Sequence, residues 1–167
     1  MPSDWRASWP STIWIRCNGQ FPELTLLRTI PGIGPILSAV IGSEIGMIER
    51  FRSAKALAND TGLVSSFYDC GDVKVPGPIT RQGSRWLRWA LVTAANVAIQ
   101  YHNPFARRYH RLRRGKKPNV AKVAIAHSLA RCVNGIWKHG CPYREDRWGR
   151  QVGVLEQEAR AGARAFP

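Results

Sequence analysis

Pro31-Gly32-Ile33-Gly34-Pro35 is the segment that most limits how this chain can fold. A helix cannot run through it. Pro31 drives the residue before it out of the helical region, and Pro35 has no N–H to give an interior turn. On both sides the apolar residues keep helical spacing. Leu24, Leu27 and Ile30 recur at three-residue steps before the turn, and Ile36, Leu37, Val40, Ile41 and Ile45 follow it. Pro35 suits the first turn of the second helix, and Gly46 closes it. The chain therefore folds back on itself as two short helices joined by a tight turn, and each needs a further element to cover its apolar side.

The rest of the sequence supplies those elements. Ser53 is placed to cap a short helix over 54–58. Residues 60–82, rich in Gly, Pro and Asp, read as an irregular loop or a short hairpin through Phe67-Tyr68 and Val73-Lys74-Val75. A long helix is predicted over 84–101, with Leu87, Leu91, Ala94, Ala98 and Tyr101 as its apolar stripe; Trp86 and Trp89 are of a type to stack on bases, but their spacing near Leu87 puts one of them in the core. Asn103 caps a basic helix over 104–114, residues 115–119 form a turn, and a last helix over 120–138 ends at Gly140. Residues 1–20 read as an irregular lead-in carrying Trp5, Trp9 and Trp14, 21–143 as the domain, and 144–167 as a flexible tail. The expected class is all-α: a helix-hairpin-helix pair plus further helices around one core. A length of 167 residues is enough for one such core.

Charge narrows the partners. Lys and Arg number 25 against 11 Asp and Glu, a formal charge of +14, which favours a polyanion. No apolar run reaches the roughly 18 residues that a membrane helix needs. The N-terminus, interrupted by Asp4, Arg6 and Arg16, has no signal-type apolar core, so a cytoplasmic protein is expected. Cys17, Cys70, Cys132 and Cys141 form no Cys-x-x-Cys pair, which points away from a disulfide framework or a zinc ribbon. His127 and Cys132 stand five apart, on different sides of a helix, so no metal site is expected with His139 and Cys141.

Three patches suit a nucleic acid. The turn resembles a helix-hairpin-helix motif: Gly32 and Gly34 let the backbone approach a partner closely, and the positive end of the second helix faces outward. The plainer reading is a turn joining two core helices. Arg81, Arg85 and Arg88 share one side of the long helix and offer planar donors to phosphate, or form a solvated face. Arg107, Arg108, Arg111, Arg113, Arg114, Lys116 and Lys117 crowd seven cations without an acid into eleven residues. A polyanion or water must screen them.

The fourth constellation is Tyr68-Asp69-Cys70-Gly71, preceded by Thr61-Gly62-Leu63 and followed by Gly83-Ser84-Arg85-Trp86-Leu87-Arg88. By composition alone, a lone loop cysteine is structural or idle. Taken in order with the glycine turn, the basic stretch and Gly140-Cys141-Pro142-Tyr143, these segments resemble the C-terminal domain of the Piv/MooV-type DEDD transposases of bacterial insertion sequences. That family is also called the bridge-RNA-guided recombinases. The likeness runs from Leu24 to Tyr143. The family carries a Tyr-x-Ser-Gly tetrad whose serine is its covalent nucleophile, so the resemblance puts Cys70 at that position. Ser84 is the lesser candidate, read more simply as a helix cap.

The resemblance further implies DNA as partner, a guide RNA, and a homo-oligomer or a partner transposase domain. It also implies magnesium held by a separate RNase-H-like domain through four acidic residues. Two departures stand out. A thiol replaces the serine, with Asp69 and Asp72 close in sequence to hold its proton on. The first 20 residues include one acid, Asp4, so no cofactor is expected in this chain itself. The expectation is a truncated element or half of a split reading frame, inactive without an acidic metal-binding domain in trans. The alternative is a catalytically silent helix-hairpin-helix module that binds DNA or RNA.

Overall fold

A computed structural model describes residues 22–70, 73–80 and 82–146, the side chains of 65–79 excepted. The expected lead-in, and all but the first three residues of the expected tail, lie outside them. Six helices pack around one core, in the order α1 (Pro22–Leu27), α2 (Pro35–Ile45), a 3-10 turn (Ile48–Arg50), α3 (Ala54–Asp60), α4 (Arg85–Ala98), α5 (Pro104–Arg113) and α6 (Pro118–His139). One antiparallel hairpin, β1 (Ser65–Cys70) and β2 (Val73–Ile79), is inserted between α3 and α4. The helical class agrees with the reading of the sequence.

α6 is the axis of the domain. Its 22 residues span about 33 Å, and α1, the 3-10 turn, α3, α4 and α5 all pack against it. A helix surrounded in this way must be apolar on most sides. Ala121, Ile125, Ala126, Leu129, Ala130, Cys132, Val133 and Ile136 are all buried, and the alanines let neighbouring helices come close. α4 answers with Ala90, Ala94, Ala95 and Ala98 beside Leu87 and Leu91. Phe105 from α5 and Leu27, Ile41, Ile45 and Leu57 from the first three helices fill the remaining volume.

Caps fix the boundaries. The side chains of Ser53, Ser84 and Asn103 accept from the backbone N–H groups of Ala56, Leu87 and Ala106, and start α3, α4 and α5. Asn103 also donates to the Ala98 carbonyl at 2.7 Å, which locks the corner between α4 and α5. Gly140, in the left-handed conformation, ends α6. Beyond it, the Tyr143 N–H reaches Thr29 Oγ1 at 2.8 Å, and within the last turn of α6 Lys138 Nζ donates to the Phe51 carbonyl at 2.7 Å.

Three expectations about the core need correction. α4 stops at Ala98 rather than 101, and Tyr101 is 60% exposed instead of completing the apolar stripe. Ile36, placed in the core by its spacing, is 57% exposed, because Ser38, Ile41 and Ile45 take the inward side of α2. Neither tryptophan of α4 enters the core: Trp86 is 53% and Trp89 49% exposed. The inward side of α4 is a run of alanines in close contact with α6 and α2, and an indole has no room there.

Candidate nucleic-acid interface

The glycine turn has one inward and one outward glycine. Gly32 has φ +90°, and a Cβ there would run into the Ala94 carbonyl and the backbone of Ala98. Its lack of a side chain lets the turn lie directly on α4. Gly34 has φ −89° and a Cβ would meet open space, so it is the one that faces outward. It caps α2 without a side chain, and the first intrahelical bond runs from the Ser38 N–H to the Gly34 carbonyl at 2.9 Å. The amides of Ile36 and Leu37 therefore have no partner inside the helix and form its positive end. They open into a groove of about 700 Å³ bordered by Arg28, Ile36, Val97 and Tyr101.

The arginines of α4 take different roles. Arg81 lies outside the described residues. Arg85 is exposed, with its guanidinium 5.0 Å from the centre of the Trp86 ring. Trp86 and Trp89 meet edge to face, 6.5 Å between centroids and 85° between planes. Arg88 is half-buried and donates to the Thr61 carbonyl at 3.2 Å, where α3 ends and backbone N–H donors run out. Its guanidinium ties α4 to α3, and only Arg85 of this pair stands outward.

The basic cluster divides in the same way. Arg107, Arg111, Arg113, Arg114, Lys116 and Lys117 are exposed on α5 and on the turn into α6. Arg108 points inward and donates to Ser128 Oγ at 2.9 Å, so it belongs to the packing of α5 on α6. Its positive charge acts with that of Arg131 and, above all, with burial to hold the His127 imidazole below its ordinary pKa. Burial likewise pushes the Cys132 thiol up to about 12. Cys132 is thus an inert core residue.

These pieces have a shared signal that lies in the sequence. From Lys74 to Arg144 there are fifteen Lys and Arg and not one Asp or Glu. The other ten cations are balanced by the eleven acids elsewhere, so the net charge of the chain comes from β2 to the end of α6 and the residues just after it.

Cys70 is the last residue of β1 and pairs with Val73. The base of the hairpin is closed by the Thr80 N–H on the Val64 carbonyl at 2.9 Å. Six strand residues at roughly 3.4 Å each put Cys70 about 20 Å from that base. Gly71 and Asp72 lie outside the described residues, as does the side chain of Cys70. Ser84, the lesser candidate, is occupied as a cap: its Oγ accepts from the Leu87 N–H at 3.1 Å and donates to Glu44 Oε2 at 2.6 Å. Glu44, the acceptor for Ser84, had no signal in the sequence, and the Thr61 carbonyl that holds Arg88 belongs to a segment noted there only for its place in the motif order. Among the described residues no three His, Cys, Asp or Glu side chains come together. The described residues offer no set of oxygen donors that fits a magnesium ion.

A family model, the transposases of the IS116/IS110/IS902 family, matches residues 24–111, just over half of the sequence and the whole stretch from α1 into α5. The chain belongs to this transposase family. It is 31% identical over 116 residues to the transposase of insertion sequence element IS1328 from Yersinia enterocolitica, across 63% of this chain and 33% of that one. Over 122 residues it is 26% identical to a protein described as a family 20 transposase from Pseudomonas aeruginosa, across 71% and 36%. It is 30% identical over 125 residues to a transposase, y4pF/y4sB, of Sinorhizobium fredii, across 71% and 32%. This transposase-family domain therefore spans about a third of the length of the relatives it matches. No helix among its described residues is long and apolar enough to cross a membrane.

Proposed function

We propose that this domain binds DNA for an insertion-sequence transposase of the Piv/MooV type and brings Cys70, at the position of the family nucleophile, to a scissile phosphate. The observation that carries the reading is the coincidence of charge and exposure. The acid-free stretch that holds the whole net charge also presents six exposed cations on α5 and the following turn. Phosphate contacts of this kind set orientation and leave sequence to other readers. The open end of α2 at Gly34 adds a second point of backbone contact of the helix-hairpin-helix type.

The chemistry assigned to Cys70 is a transesterification. The thiolate sulfur attacks phosphorus, a P–S bond forms, the P–O bond to the departing strand breaks, and the freed oxygen takes a proton. Reversal by an incoming hydroxyl restores the thiolate and keeps the bond energy, so no nucleotide is consumed. A thiolate is required, and Asp69 and Asp72 oppose it. The cationic surroundings, or a metal-holding acidic domain of the DEDD type supplied separately, must offset them. A guide RNA and a second transposase subunit complete the reading.

Two measurements test it. Replacing Arg113, Arg114, Lys116 and Lys117 by Ala should weaken binding to duplex DNA at least tenfold, and unchanged affinity would remove the surface. Incubation with transposon-end DNA and the acidic domain should give a protein–DNA adduct that Cys70→Ala abolishes. An adduct that survives that substitution places the chemistry elsewhere. Binding without any adduct leaves the domain as a silent binding module.

A further inference from the structure

Two indoles on the outer side of α4 are left half in water, in a domain whose core is otherwise closed. Trp86 and Trp89 are one helical turn apart and perpendicular, so they form a corner whose two walls are ring faces. Two large rings in contact on a surface form a contiguous patch, and such patches, unlike single exposed residues, mark places that meet a partner. The surroundings specify its charge. Arg85 lies over the Trp86 ring, and α4, α5 and α6 contain no acid. One carboxylate, Glu44, lies at the head of α4, where it accepts from the Ser84 hydroxyl, and Arg85 and Arg88 outnumber it. The corner is therefore aromatic and cationic together, the combination that stacks nucleobases while fixing the adjoining phosphate.

We infer that the Trp86–Trp89 corner, with Arg85, is a stacking platform for unpaired bases of single-stranded DNA. In a paired duplex the base faces are covered by their neighbours, and the corner has nothing to stack on. Passing a cut strand to a new partner, which the proposed reaction requires, separates it from its complement and exposes such faces. The inference rests on the nucleic-acid reading above and adds the form of DNA that this side of α4 accepts. It also gives α4 a role separate from the basic turn, which contacts phosphates in either form.

The test measures fluorescence anisotropy of the full chain with a labelled twelve-nucleotide thymidine oligomer and with a duplex of the same length. Trp86→Ala and Trp89→Ala should each weaken single-strand binding about ten- to a hundredfold and leave duplex binding within twofold. Trp86→Phe and Trp89→Phe, which keep a ring, should recover part of the loss. Circular dichroism on each variant confirms an intact fold. Single-strand affinity unchanged in both alanine variants overturns the platform. So does a loss of self-association in light scattering with DNA binding intact, because the corner would then be a protein interface. Tighter binding of the matching RNA, abolished by the same changes, overturns the assignment to DNA. Loss of duplex binding on replacing the α5–α6 cations remains a separate result, so the two readings fail independently.

Discussion

Gly32 and Gly34 stand two residues apart and meet opposite surroundings. Gly32 combines a positive φ with a backbone contact on α4, so Gly32→Ala should destabilise the fold by about 2–4 kcal/mol. Gly34 has neither constraint, and Gly34→Ala should stay within about 0.5 kcal/mol. Urea unfolding of the two variants checks this, and equal losses would show that the turn is not seated on α4. The Gly34 variant should instead weaken DNA binding, since its methyl group enters the open end of α2. His127 gives a second residue-scale expectation. Its folded-state pKa lies below its ordinary value of 6.5, mainly through burial and then through Arg131 and Arg108. As pH falls past that value the unfolded chain takes up the proton and the folded chain resists it, so stability present at pH 7.5 is lost toward pH 5. His127→Gln should flatten that part of the urea midpoint against pH. A profile identical to the wild type would exclude His127 as its source.

At the level of elements, the backbone of the β-hairpin packs chiefly on itself. Its dense packing is between its own strands, and one backbone bond at Val64 and Thr80 closes its base. Replacing residues 66–78 by a short Gly-Ser linker should therefore leave the melting temperature within a few degrees and the helical circular dichroism unchanged. Adduct formation should be lost entirely, because Cys70 goes with the hairpin. A large drop in melting temperature would mean that the strands brace the core.

Across the molecule, the decisive property is where the charge lies. A +14 chain with mixed charges would bind polyanions diffusely, whereas here one continuous stretch carries the entire excess. The logarithm of duplex affinity should fall linearly with the logarithm of salt concentration. Arg113→Ala together with Arg114→Ala should reduce that slope by about two, roughly one for each phosphate that an arginine no longer neutralises. Arg108→Ala should leave the slope alone and lower stability, since its guanidinium is spent on Ser128 inside the fold. If Arg108→Ala changed the slope as much as the outward pair, the division of the cluster would be wrong.

The turn, the helices and most of their caps were legible in the amino-acid order, because they are local properties. In starting or stopping a helix, Pro31, Pro35, Ser53, Ser84, Asn103 and Gly140 act on their immediate neighbours, and an apolar period needs only one helix to read. That the chain is an insertion-sequence transposase domain was legible too, because the order of short segments survives without any knowledge of how they meet. Which of two like residues turns inward was left to the packing of the helices. Arg88 and Arg108 look like Arg85 and Arg107 in the sequence, yet each donates to an acceptor on another helix, twenty or more residues away. Trp86 and Trp89 look like core residues by type and stay outside, because the alanines of α4 draw α2 and α6 too close to admit an indole. Burial is settled by which helices share a face, and that depends on long-range packing that no local pattern records.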